Sequence, residues 1–187
     1  MAHTKTNHPE LPLIFGEGFL QDHAGHIISE PHIALVELIA NAYDAGATRV
    51  DVRWPSELGE EFSIRDNGSG MTLVEFEKRW KTLCYNRLNE QGSGVTSPNH
   101  AVKNRRAVGR SGKGRHAAFC FADVYEVESS KNGSHFQMRV ERTDGGVAPF
   151  RCVLDLESTA DGHGTEIRAL VSKNLISSPD VRELLGS

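Results

Sequence analysis

Between residues 29 and 46 the chain reads Ser-Glu-Pro-His-Ile-Ala-Leu-Val-Glu-Leu-Ile-Ala-Asn-Ala-Tyr-Asp-Ala-Gly, with apolar positions recurring at helical spacing. That period predicts an α-helix. Ser29 offers a hydroxyl cap, Pro31 suits an early position that needs no amide donor, and Gly46 suits a left-handed closing residue. Val36, Ile39, Ala40 and Tyr43 make the face expected to meet a core. The polar residues Glu37, Asn41 and Asp44 recur helically as well. At roughly 100° per residue, Asn41 lies about 40° to one side of Glu37 and Asp44 about 20° to the other. Two acids and an amide thus form one narrow stripe, which taken alone suits a solvated helix face as well as a site.

After this helix the period changes to two. Thr48, Val50, Val52 and Trp54 alternate with Arg49, Asp51 and Arg53 as a half-buried strand, and Phe62 and Ile64 alternate in a short second one. The second strand runs into Asp66-Asn67-Gly68-Ser69-Gly70-Met71. Thr72 and Glu75 then form a capping box that opens a helix to about Leu83. From Tyr85 to Arg115, Gly, Ser, Asn, Lys and Arg dominate, the composition and length of a lid or binding loop. It ends in Gly109-Arg-Ser-Gly112-Lys113-Gly114-Arg115, followed by an apolar helix of about two turns over 116–122. A glycine-rich loop entering a helix offers backbone amides and a positive helix end to phosphates. The remainder reads as strands. Val124–Glu128 and Phe136–Arg142 join through the favoured Asn132-Gly133 corner, Ala148–Leu156 follows a turn at Thr143–Gly146, and Thr165–Val171 follows Asp161-Gly-His-Gly164. Ser178-Pro179-Asp180 opens a further helix.

The 187 residues suffice for one domain with a real core. An apolar fraction of 38% and a charged fraction of 25% suit a folded chain and exclude a disordered one. The net charge of −4 argues against a surface that grips nucleic acid throughout, leaving room for a local basic patch. Cys84, Cys120 and Cys152 are widely spaced and read as reduced, half-buried thiols, with no zinc site implied. His23 and His26 have nothing nearby to complete a metal set and read as ordinary polar residues. The polar start carries no apolar signal core, and no run approaches a membrane span. A soluble, cytoplasmic protein with no membrane partner is expected. Its organisation reads as an N-terminal arm over 1–28, a domain over 29–175 with a lid at 85–115, and the start of a linker or further helix at 176–187.

Taken singly, each glycine segment suits a plain turn. In their order and spacing, Glu37-x-x-x-Asn41, Asp66-x-Gly68-x-Gly70, Gly109-x-x-Gly112-x-Gly114 and Gly164-Thr165 resemble the four-box Bergerat ATP site of the GHKL superfamily. That superfamily includes type II topoisomerase ATPase subunits, heat-shock-90 chaperones, histidine kinases and MutL mismatch-repair proteins. The run from Glu37 to Thr48 looks most like the branch that holds MutL, MORC, the topoisomerases and heat-shock-90, since histidine kinases usually lack the glutamate four residues before the asparagine.

The resemblance implies an α/β (α+β) fold, a two-layer sandwich of a mixed, mostly antiparallel sheet with helices on one face and ATP between the layers. It implies that Asp66 accepts a hydrogen bond from the adenine amino group and that Thr165 shares this contact, often through water. Gly68 and Gly70 would let backbone approach the base, with Met71 packed on the ring. Asn41 would hold Mg2+, and Glu37 would orient and deprotonate the attacking water. Gly109, Gly112 and Gly114 would wrap the phosphates, with Lys113 and Arg115 reaching the terminal one. Asp44 would hold the pocket together or bind through water. In the MutL and topoisomerase branch a lysine from a following domain completes the site, so slow turnover to ADP is the expectation for this chain alone. An ATP-dependent homodimer is a further implication. Three larger roles stay open: the ATPase module of a DNA-handling or defence protein related to MutL or MORC, a chaperone-like clamp on protein clients, and a nucleotide-sensing module that does not hydrolyse. DNA or a client would be engaged through further domains.

Overall fold

A computed structural model describes residues 25, 28–80, 94–95, 105–109, 112–143 and 148–186. Helix α1 spans Pro31–Asp44, with proline at its start and Gly46 at φ 75° just past its end. Ser29 does not cap it. The N-cap position belongs to Glu30 without a side-chain bond, because Ser29 sits in the preceding helical turn and its hydroxyl donates to the Gly25 carbonyl. The buried face also differs from the expected one, consisting of Ala34, Leu35, Leu38 and Ala42. Val36 and Tyr43 are exposed, and Ile39 and Ala40 are half-buried. Apolar residues cover more than one side of α1, so period alone offered two faces. Close packing against the segment after the glycine loop selected the one with the smaller side chains.

Strands β1 (Val50–Arg53), β2 (Glu61–Asp66), β3 (Val124–Lys131), β4 (Ser134–Arg142), β5 (Phe150–Thr159) and β6 (Gly164–Leu170) form one sheet in the order β1-β2-β6-β3-β4-β5. Each pairing is antiparallel. Alternation puts Phe62, Ile64, Tyr125, Val127, Phe136, Met138, Val140, Ile167 and Ala169 into the core beneath the helices. The other face is charged, with Arg168 bridging Glu126 at 3.0 Å and Glu128 at 3.3 Å. The result is the two-layer α/β sandwich that the resemblance implied.

Helix α2 spans Leu73–Trp80 behind the expected capping box, in which the Thr72 amide donates to Glu75 Oε2 at 3.0 Å and the Glu75 amide to Thr72 Oγ1 at 3.3 Å. Its expected extension to Leu83 lies outside the described residues. The two-turn apolar helix expected after the glycine loop is a 3₁₀ helix, Gly114–Cys120, with all seven residues buried. Without a solvent face, packing and not helix propensity decides its winding. Asn132 and Gly133 both take positive φ, 53° and 80°, making the tight corner between β3 and β4. Helix α3, Ser178–Leu185, is capped by Ser177 and buries Val181. Cys120 is buried and Cys152 half-buried, both as free thiols, and burial pushes the Cys120 thiol up to about 11. Cys84, His23, His26 and most of the 1–28 arm and the 85–115 loop lie outside the described residues. No described helix is long and apolar enough to cross a membrane.

Candidate nucleotide site

The sheet register builds one end of the site. Asp66 at the end of β2 lies opposite Thr165 of β6, and Thr165 lies opposite Ser129 of β3. The Asp66 carboxylate accepts from the Gly68 amide at 2.7 Å and from the Thr165 amide. Burial pushes its carboxyl up to about 6, although both amides and the nearby His163 pull it down. Gly68 leaves no room for a side chain, since a Cβ there would sit 2.8 Å from the Ala45 Cβ, the Ala45 carbonyl oxygen and Asp66 Oδ1. The Ser69 amide donates to the same Ala45 carbonyl at 2.8 Å, fastening this turn under the end of α1. Gly70, at φ 60°, lies so close to the Ser130 carbonyl that a Cβ would fall 2.0 Å from its oxygen. Met71 is buried, and its amide donates to Ser129 Oγ at 2.9 Å.

The other end is built on the polar stripe of α1. Glu37 faces the glycine loop, and a Cβ on Gly114 would lie 2.0 Å from Glu37 Oε2. Partial burial raises the Glu37 carboxyl, with the Asp44 charge adding to the effect. Asn41 presents a buried amide nitrogen, Nδ2, that has no hydrogen-bond partner. Asp44 holds the loop in place, with its two oxygens accepting from the Val108 and Gly109 amides, each at 2.8 Å. Arg105 docks on the same helix end. It donates to the Ala47 carbonyl at 2.7 Å and the Tyr43 carbonyl at 3.3 Å, and its guanidinium lies 4.1 Å from the centre of the Tyr43 ring. Gly112 takes φ 65°. Lys113 is half-buried, whereas Arg115 is only 6% exposed and turns its Nε back to the Gly112 carbonyl.

The three glycine-bearing boxes and the Glu37–Asn41 stripe thus meet where the ends of β2 and β6 face one helix, as a single constellation. The family model described as "Histidine kinase-, DNA gyrase B-, and HSP90-like ATPase" matches residues 28–159. The chain belongs to this ATPase family. This GHKL domain is related to MutL. It is 39% identical over 67 residues to the DNA mismatch repair protein MutL of Rhizobium leguminosarum bv. trifolii, covering 36% of this chain and 11% of that protein. To MutL of Xylella fastidiosa it is 46% identical over 52 residues, 28% of this chain and 8% of that protein. A putative type II restriction enzyme, HgiDII of Herpetosiphon aurantiacus, is 30% identical over 98 residues, 52% of this chain and 14% of that protein. The chain therefore spans only a small part of the length of these curated relatives.

Several residues of the candidate site carry no motif. Ser129, 1% exposed, bonds the Met71 amide and the Gly164 carbonyl and lies 3.0 Å from Thr165 Oγ1. Its signal was the strand period, which after Tyr125 and Val127 puts a hydroxyl where the core face requires an apolar residue. His163 Nδ1 lies 2.8 Å from the Gly68 carbonyl, tying the turn before Gly164-Thr165 to the turn after Asp66. Asn67 bonds the Thr48 and Arg49 amides, each at 2.9 Å, fixing the Asp66 turn to the start of β1. Arg105 gave no local signal, because its partners are backbone carbonyls at the far end of another element.

Proposed function

We propose that this domain binds ATP, hydrolyses it slowly with Mg2+, and uses the cycle as a conformational switch in a DNA-handling or defence protein of the cytoplasm. The observation that carries the hydrolytic reading is the contact of Glu37 with Gly114. It puts a carboxylate of raised basicity against the loop whose amides would cradle the phosphates. Asp66 and Thr165 receive the adenine edge, beside backbone that Gly68 and Gly70 keep bare, with Met71 on the ring. Gly109, Gly112 and Gly114 take the phosphates. Lys113 is the loop's charge for the terminal phosphate, since Arg115 is turned into the protein.

The metal fits the donor set. The Asn41 side chain has its amide nitrogen buried without a hydrogen-bond partner, and its amide carbonyl is a hard oxygen donor of the kind Mg2+ takes. Asn41 would hold Mg2+, which when bound supplies positive charge against the phosphate oxygens. Glu37 takes the proton from a water aligned with the terminal phosphorus, and Asp44 keeps the loop seated through the Val108 and Gly109 amides. The DNA-handling role is supported by relatives named for mismatch repair and restriction, and an ATP-dependent homodimer accords with the branch.

Paired substitutions test this reading. Glu37→Ala is expected to leave ATP affinity nearly unchanged and to slow hydrolysis by about 10²–10⁴-fold. Asn41→Ala is expected to weaken Mg2+-dependent binding. Loss of binding in both would make Glu37 structural and favour nucleotide sensing without turnover. Stimulation of hydrolysis by a client protein and not by DNA would favour the chaperone-like role.

A further inference from the structure

Ser129 sits behind the adenine end of the site, and its hydrogen-bond inventory has one solution. A serine hydroxyl carries one hydrogen and two lone pairs. The Met71 amide can only donate, so at 2.9 Å it occupies one lone pair. The Gly164 carbonyl can only accept, so at 3.0 Å it takes the single hydrogen. One lone pair is left for the third neighbour, Thr165 Oγ1 at 3.0 Å. Thr165 must therefore donate its hydroxyl hydrogen to Ser129. With that hydrogen committed, Thr165 Oγ1 has only lone pairs to offer on its other side. Asp66, its partner across the β2–β6 pairing, is acceptor-only when ionised.

We propose that Ser129 is a specificity-determining positioning residue, which polarises Thr165 into an acceptor so that the pocket takes a 6-amino purine nucleotide and rejects a 6-oxo one. The inference rests on the adenine-pocket reading of Asp66 and Thr165 above. A 6-amino group brings hydrogens to two acceptors. A 6-oxo group brings a lone pair against the same oxygens and leaves buried acceptors unmatched, the kind of mismatch that discriminates most strongly. An unpolarised threonine would rotate and donate to the 6-oxo group, so the discrimination depends on a residue that itself touches no base.

The test compares ATP with inosine triphosphate, which differ at the 6-position and the adjoining N1 proton, by calorimetric titration of the full chain with Mg2+. Ser129→Ala is expected to lower the ATP-to-inosine-triphosphate affinity ratio by about tenfold, the worth of one hydrogen bond. In a Thr165→Val background the same substitution is expected to leave the ratio where Thr165→Val alone puts it. Ser129→Thr, which keeps the hydroxyl, is expected to hold the parent ratio. Ser129→Cys keeps the side chain's branching while weakening the acceptor, and reads the same change should the alanine variant fail to fold. Equal loss of both nucleotides in Ser129→Ala, with the ratio unchanged, would make Ser129 a purely structural hydroxyl. So would a ratio change that persists in full without the Thr165 hydroxyl. A parent chain that binds neither nucleotide would overturn the adenine pocket together with this assignment. ATP binding that weakens in Asp66→Asn, beside an unchanged ratio in Ser129→Ala, would overturn the assignment alone.

Discussion

Gly114 is where the glycine loop and α1 meet most closely, and a single methyl group there separates catalysis from folding. An alanine Cβ would fall 2.0 Å from Glu37 Oε2, 3.0 Å from its Cδ and 3.2 Å from its Cβ. Unbonded heavy atoms settle at about 3.5–4.0 Å, so the carboxylate must swing away by more than an ångström while the Glu37 Cβ yields a few tenths. Torsions of the glutamate side chain allow that movement. Gly114 is not among the described glycines at positive φ, so alanine adds no backbone strain. Gly114→Ala is therefore expected to cost about 1–3 kcal/mol of stability from overpacking. ATP affinity should stay within a few-fold, while hydrolysis falls by about 10²–10⁴-fold, the loss expected on removing the base itself. Single-turnover phosphate release with protein in excess over ATP reads a slow parent rate, and a denaturant midpoint reads the fold. Because both changes act on one carboxylate, Glu37→Ala/Gly114→Ala should be no slower than Glu37→Ala alone. A folded Gly114→Ala protein that hydrolyses at the parent rate would refute the reasoning, as would losses that multiply in the double variant.

Two further outcomes follow from the same geometry. The Asp66 carboxyl is raised from 3.8 to about 6 by burial, so between those values the folded chain keeps a proton that the unfolded chain has released. Stability from this group therefore falls by about 3 kcal/mol as pH rises through that window and is level above it. Asp66→Asn should flatten this slope in denaturant titrations and weaken ATP binding by about ten- to a hundredfold. An unchanged slope would remove Asp66 as its source. Arg105→Ala gives up bonds to the Tyr43 and Ala47 carbonyls and the stacking on Tyr43, an expected loss of about 1–3 kcal/mol. An unfolding midpoint equal to the parent's would show that this anchor contributes nothing to the fold.

Much of the local structure was legible because its causes lie within a few residues of one another. Pro31 and Gly46 bracket α1, Thr72 and Glu75 cap α2, and Asn132-Gly133 turns the β3–β4 hairpin, each through a bond or a torsion inside a single turn. The three glycine boxes were legible for a related reason. Only glycine tolerates a carboxylate or a carbonyl oxygen at the distances found at Gly68, Gly70 and Gly114, so the site leaves its outline in the chain.

What the sequence left open were quantities set across the molecule. Helical period located α1, but its rotation about its own axis was decided by what packs on it, which buried Ala34 and Ala42 and exposed Val36 and Tyr43. Composition marked Lys113 and Arg115 as equal charges, whereas burial turned Arg115 inward. Asp44 could not be assigned from the stripe it shares with Glu37 and Asn41, because its partners are amides of a distant loop. Ser129 acquires its three neighbours only when β3, β6 and the turn before α2 come together in one register. A hydrogen bond between residues far apart in the chain has no local period to announce it, since its donor and acceptor meet only through the packing that folding itself supplies.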